Sequence, residues 1–195
     1  VSISSNMQDN IPDTMIKGKQ SIKGKVVISG AGKTVTLQLH AVRYDIGNLP
    51  ARTFIDTHGV VAMEAEHYVD TVANGGGQWQ VIADYGRTLS GLKVFPVTLA
   101  AKTPGVDAPY LEYQFVTPKT GHVTVYAYGA PTNNLSSETG MRYGIAIDRE
   151  EPQIVDTFPV GTPVGSGEVW SIGVMQNARI TATKHTLSNE KIHKL

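Results

Sequence analysis

The chain has 195 residues, 41% of them hydrophobic, which is enough for one sizeable core or for one domain with part of a neighbour. Its 17 Lys and Arg balance 17 Asp and Glu, so there is no basic field to collect the phosphates of nucleic acid. Cysteine is absent, which excludes disulfide scaffolds, thiolate metal sites and cysteine nucleophiles, and no apolar run reaches the roughly 20 residues of a membrane-spanning helix.

The chain opens VSISSN, without an initiator Met or a signal-peptide pattern, and closes NEKIHKL in a stretch that reads as strand, as expected of a piece of a longer protein. In KTVTLQLHAV the residues Val35, Leu37, Leu39 and Ala41 alternate with polar neighbours, which predicts a strand. The GKT of Gly32 to Thr34 invites a phosphate-loop reading. That pattern needs a glycine where Val27 stands, and a strand follows instead of a helix, so a Gly-rich hairpin turn is expected. The stretch NLPARTFIDTHG marks a boundary between a partial β segment, residues 1–57, and a longer series of strands over 58–195. An isolated hairpin is marginal in water, so the first part belongs to a neighbouring domain or packs on the main one.

Period 2 continues through PYLEYQFV (Leu111, Tyr113, Phe115), GHVTVYAYG (Val123, Val125, Ala127), MRYGIAID (Met141, Tyr143, Ile145, Ile147) and EVWSIGV (Trp170, Ile172, Val174). Turn clusters such as ANGGGQ, KTPGVDAP and APTNNLSSETG separate these runs. About ten short strands, with no amphipathic helix of three turns, predict an all-β sandwich of jelly-roll type.

Glu64 and Glu66, in VVAMEAEHYV, are the sharpest local feature. On a strand, residues i and i+2 point to the same side with Cα atoms about 6.6 to 6.8 Å apart, so the two carboxylates are expected to project in parallel. A solvated outer face explains them with nothing further. A glycosidase pair needs carboxylates on either side of a scissile bond, which neighbours on one strand do not supply. A calcium site suits hard carboxylate oxygens, with loop carbonyls and a distant acid completing the shell. The histidines, His40, His58, His67, His122, His185 and His193, show no zinc-ligand spacing and read as structural or surface residues, and no GxSxG elbow is present.

The succession VAMEAEHYV, GGGQWQVIADYGRTLSGLKVFPVT, APYLEYQFVTPKTGHVTVYAYGAPTNN, GMRYGIAIDRE and VWSIGVMQNARITATKHTLSNEKIHKL resembles the C-terminal region of family 115 glycoside hydrolases, the xylan α-1,2-glucuronidases. The resemblance covers roughly residues 58–195, and by it residues 1–57 look like the end of a preceding β domain. The EAEHY opening is also similar to the start of calcium-containing carbohydrate-binding modules of families 6 and 35, β-sandwiches whose first-strand acids help hold a structural Ca²⁺. By that similarity Glu64 and Glu66 are expected metal ligands, although the strand that brings a further acid in those modules is expected beyond Leu195. The resemblance puts catalysis in an upstream barrel domain of the same protein. It implies a non-catalytic accessory role, a secreted or periplasmic location and plant cell-wall glucuronoxylan as a partner; a purely structural or dimerisation domain is the alternative.

Sugar recognition needs flat aromatic faces and planar polar groups. The candidates are Tyr85 and Arg87 in ADYGRT, Tyr110 after a Pro-rich loop, and the out-facing Tyr126 and Tyr128. Arg87 would grip a uronic-acid carboxylate through two parallel hydrogen bonds. Trp79, beside the Gly75 to Gly77 loop, is a further candidate, but its phase with Val81 favours the core, and Trp170, in phase with Ile172 and Val174, is expected in the core.

Overall fold

The computed structural model describes residues 2–6, 20–43, 49–57, 59–117, 120–188 and 192–195. His58 lies outside the described residues. The chain divides into two compact units, Val1–Pro50 and Ala51–Leu195.

The first unit is an antiparallel meander of β1 (Ser2–Asn6), β2 (Gln20–Gly30) and β3 (Lys33–Arg43), in that order across the sheet. Ala31 and Gly32 turn the chain between β2 and β3 with φ of 49° and 73°, the two positive values of a type I′ hairpin. GKT is therefore the rim of a hairpin, and Ser29 and Thr34 share a hydroxyl hydrogen bond of 3.0 Å across it. Cross-strand pairing sets Val26 against Leu37 and Ile28 against Val35, which gathers the apolar residues on one face.

The second unit is an all-β sandwich. Its strands in order are β4 (Thr53–Ile55), β5 (Asp70–Val72), β6 (Gln78–Ile82), β7 (Gly91–Phe95), β8 (Tyr110–Glu112), β9 (Gln114–Val116), β10 (Gly121–Gly129), β11 (Met141–Ile145), β12 (Gln153–Phe158), β13 (Arg179–Leu187) and β14 (His193–Lys194). Residues 53–55 thus pair within this unit, β4 running parallel to β9 while β14 takes the other edge of β9 antiparallel. Consecutive antiparallel pairs β6–β7 and β11–β12 join the long pair β10–β13 and the short pair β5–β8. Phe115, Ile147 and Leu187 are the buried centre, against which Phe54, Val61, Met63, Val123, Val125 and Leu195 pack. The alternation of GHVTVYAYG is carried through: Val123, Val125 and Ala127 are partly buried, while His122, Thr124, Tyr126 and Tyr128 are exposed.

One expected strand is a helix. EVWSIGV belongs to α1 (Glu168–Gln176), which begins after Gly167 at φ 89° and ends on left-handed Asn177 at φ 51°. Two positive-φ residues interrupt the extended chain at both ends, and Ala178 N–H closes back on the Gly173 carbonyl at 3.1 Å. Val169, Trp170, Ile172 and Gly173 form the inward stripe, while Val174 is exposed, so Trp170 is half-buried on a helix. Short apolar runs satisfy both periods, and here the ends decide.

Candidate functional site

The second departure falls on the glutamate pair. Ala65–His67 is a turn of 3₁₀-helix, with Glu64 extended at its N-terminal boundary (φ −81°, ψ 130°) and His67 N–H on the Glu64 carbonyl at 3.0 Å. Glu and Ala favour helical turns over strands, and the Ala65 carbonyl is taken by the Tyr113 hydroxyl at 2.6 Å instead of by a neighbouring strand. Both acids still reach one segment. Thr88 Oγ donates to the Glu64 carboxylate at 2.8 and 3.0 Å, and Ser90 N–H donates to Glu66 at 2.9 Å.

Hydrogen bonding from the Ser90 side chain, the largest cause, holds the Glu66 carboxyl below its ordinary range; burial opposes it, while the Ser90 amide and His67 add smaller lowering effects. Burial pushes the Tyr113 hydroxyl up to about 12, with the charge interaction of Tyr68 adding to it. A Ca²⁺ shell needs six to eight oxygens. The pair offers two carboxylates already engaged by Thr88 and Ser90, and no third His, Asp or Glu among the described residues joins them in a metal-holding group. Loop carbonyls and a further acid would have to supply the rest of the shell.

The sugar-binding candidates fall in separate places. Tyr85 and Arg87 lie in the exposed 83–89 loop, where Gly86 N–H closes on the Leu89 carbonyl at 2.8 Å. Arg87 has no hydrogen bond or ion pair among the described residues. Tyr110 sits on β8, opposite Val72. Tyr126 and Tyr128 share the outer face of β10, 61% and 66% exposed, opposite Ala182 and Ile180 of β13. These two are the candidates that the fold sets side by side. Trp79 is half-buried and donates its indole N–H to the Pro109 carbonyl at 3.1 Å, as a core role requires.

Sequence reasoning did not anticipate what His185 and His193 do. His185 is buried, with Nδ1 2.7 Å from the Glu150 carboxylate and Nε2 2.7 Å from the Thr183 hydroxyl. His193, fully buried, lies 2.8 Å from the Asp148 carboxylate through Nδ1 and stacks on Phe115 with centroids 5.2 Å apart. Asp148, at φ 58°, also accepts from Lys194 N–H at 3.0 Å and donates its own N–H to the Lys194 carbonyl at 2.8 Å. Lys194 Nζ meets Glu112 at 2.8 Å, and that hydrogen bond and charge raise the lysine above its ordinary range. The 148–150 turn thus fastens β13 and β14. The only advance signal was the spacing of two acids around Arg149, which alone points nowhere.

An all-β domain in which Glu64, Glu66, Asp148, Glu150, His185 and His193 are engaged by other residues of the chain, and whose paired aromatics face outward, has the makings of an accessory module. Comparison gives it a family: residues 53–195 match the model of the glycosyl hydrolase family 115 C-terminal domain, and the chain belongs to that family. No curated protein matches it.

Proposed function

We propose that this chain is a non-catalytic accessory domain of a xylan α-1,2-glucuronidase, linked to a catalytic domain of the same protein and holding glucuronoxylan for it outside the cytoplasm, in a secreted or periplasmic setting. The observation that carries the reading is the tyrosine pair. Tyr126 and Tyr128, at i and i+2 on one strand face, lie about 6.6 to 6.8 Å apart along the chain and offer flat apolar surface with polar tips. Exposure at both positions leaves that surface open to a sugar ring.

Affinity electrophoresis in gels containing glucuronoxylan tests it. The native chain is retarded, and the Tyr126→Ala/Tyr128→Ala variant migrates freely. Arg87→Ala reduces retardation by glucuronoxylan more than by undecorated xylan if its guanidinium grips the uronic carboxylate. Release of glucuronic acid by the isolated chain overturns the non-catalytic assignment.

Exposed apolar side chains favour a second reading, in which the domain packs against another domain or copy. Leu135, Val160, Val174 and Met175 are all exposed. Free migration in every polysaccharide gel, with a dimer mass by light scattering, assigns the domain to assembly.

A further inference from the structure

The turn Asn74–Gly77 opens one end of β6, and an open groove of about 770 Å³ lies against it. Gly75 and Gly76, at φ 56° and 82°, make the turn, with Asn74 and Gly77 bonded to each other through both amides. The glycines serve the fold: a Cβ on Gly75 would strike the Asp107 carbonyl oxygen, and one on Gly77 would come within 2.5 Å of Leu99 Cδ2. The groove's lining chemistry comes from the strands. Gln78 and Gln80 are exposed on one face of β6, and Phe95 stands directly opposite Gln78 on β7, followed by Pro96. Neither carboxamide has a hydrogen-bond partner among the described residues.

No lining residue is ionisable. Two lysines stand at its margin, Lys93 opposite Gln80 on β7 and Lys102 with its side chain against Gly75. A carboxamide both donates and accepts, as a sugar hydroxyl does, so two amides about 6.6 to 6.8 Å apart along the strand can reach hydroxyls on neighbouring rings of a chain. Phe95 and Pro96 add apolar surface for the C–H face of the ring.

We infer that this groove is a second carbohydrate site, taking the hydroxyls of an oligosaccharide chain on Gln78 and Gln80 and the face of a ring on Phe95. The assignment deepens the reading of the domain as polysaccharide-holding and uses no residue of the tyrosine face. The test is a titration of the ¹⁵N-labelled full chain with the neutral β-1,4-linked hexasaccharides xylohexaose and cellohexaose, reading the side-chain amides of Gln78 and Gln80 separately from the backbone amides of Tyr126 and Tyr128.

With at least one of the two sugars, the glutamine side-chain signals shift and saturate. The Gln78→Ala/Gln80→Ala variant, with its backbone spectrum otherwise preserved, binds there about tenfold more weakly, as the loss of two hydrogen bonds requires. Movement confined to the tyrosine signals overturns the groove and leaves the tyrosine face standing. Glutamine signals moving alone support the groove and remove the tyrosine face for neutral chains. If neither set moves with sugar up to the order of 10 mM, which fills about nine-tenths of a 1 mM site, the groove is overturned.

Discussion

The acid turn at residues 64–67 and the tyrosine face of β10 carry the two conspicuous side-chain pairs of this molecule, and they spend them in opposite ways. At the turn, Glu64 and Glu66 are clasped by Thr88 and Ser90, and Tyr113 ties the Ala65 carbonyl from the other side. On β10, Tyr126 and Tyr128 point away from the core with their rings exposed. Spacing i, i+2 is the same in both. What differs is whether the fold brings a partner to the pair, and a group already satisfied at home has less to offer a ligand than one left open.

The contrast can be broken from the buried side first. Replacing Asp148 by Ala removes the acceptor of His193 and of Lys194 N–H, and we expect a loss of about 2 to 3 kcal/mol by urea denaturation, with the retardation of the surviving folded chain unchanged. Tyr113→Phe should cost about 1 kcal/mol at neutral pH, because one hydrogen bond to Ala65 is lost. Its signature lies at high pH. The folded hydroxyl titrates at about 12 against 10.0 ordinarily, so native stability is whole below pH 10 and drains as pH rises toward 12, and the variant should lack that drain.

Glu66→Gln gives the mirror image at low pH. The folded carboxyl titrates below 4.5, so it contributes stability above that value and loses it as pH falls through the folded value. Melting curves below pH 5 should therefore fall less steeply for the variant than for the native chain. Calcium and a chelator should both leave the melting temperature of the native chain where it is, because Thr88 and Ser90 already satisfy the turn. A rise with Ca²⁺ that EDTA reverses would show a cation completing that cluster. The smallest effect on stability belongs to Tyr126→Ala/Tyr128→Ala, within about 0.5 kcal/mol. If the double variant unfolds more easily than that, the tyrosines are packing residues and the contrast collapses.

The sequence carried much of this where chemistry is local. Alternation in GHVTVYAYG located both tyrosines on the outward face, and the GKT hairpin followed from Val27 and the strand after Thr34. It misled where two periods coincide. In EVWSIGV the apolar residues fit a strand and a helical stripe equally, and the deciding signals were Gly167 and Asn177 at the ends. For EAEHY the turn depends on Tyr113, 48 residues from Ala65, and pairing at that distance leaves no mark on the local pattern. The same holds for His193 on Asp148 and for the groove, which exists because Phe95 returns opposite Gln78.

The three-stranded sheet β14–β9–β4 also sets an order of events during synthesis. Its strands come from residues 53–55, 114–116 and 193–194, so the central one waits for a neighbour about eighty residues downstream. Until residues 193–194 are made, Phe115 has no His193 to cover it and Asp148 has no strand to grip. The nascent domain must carry that open edge until β14 emerges, and an interruption before it would release a chain with its hydrophobic centre unsealed.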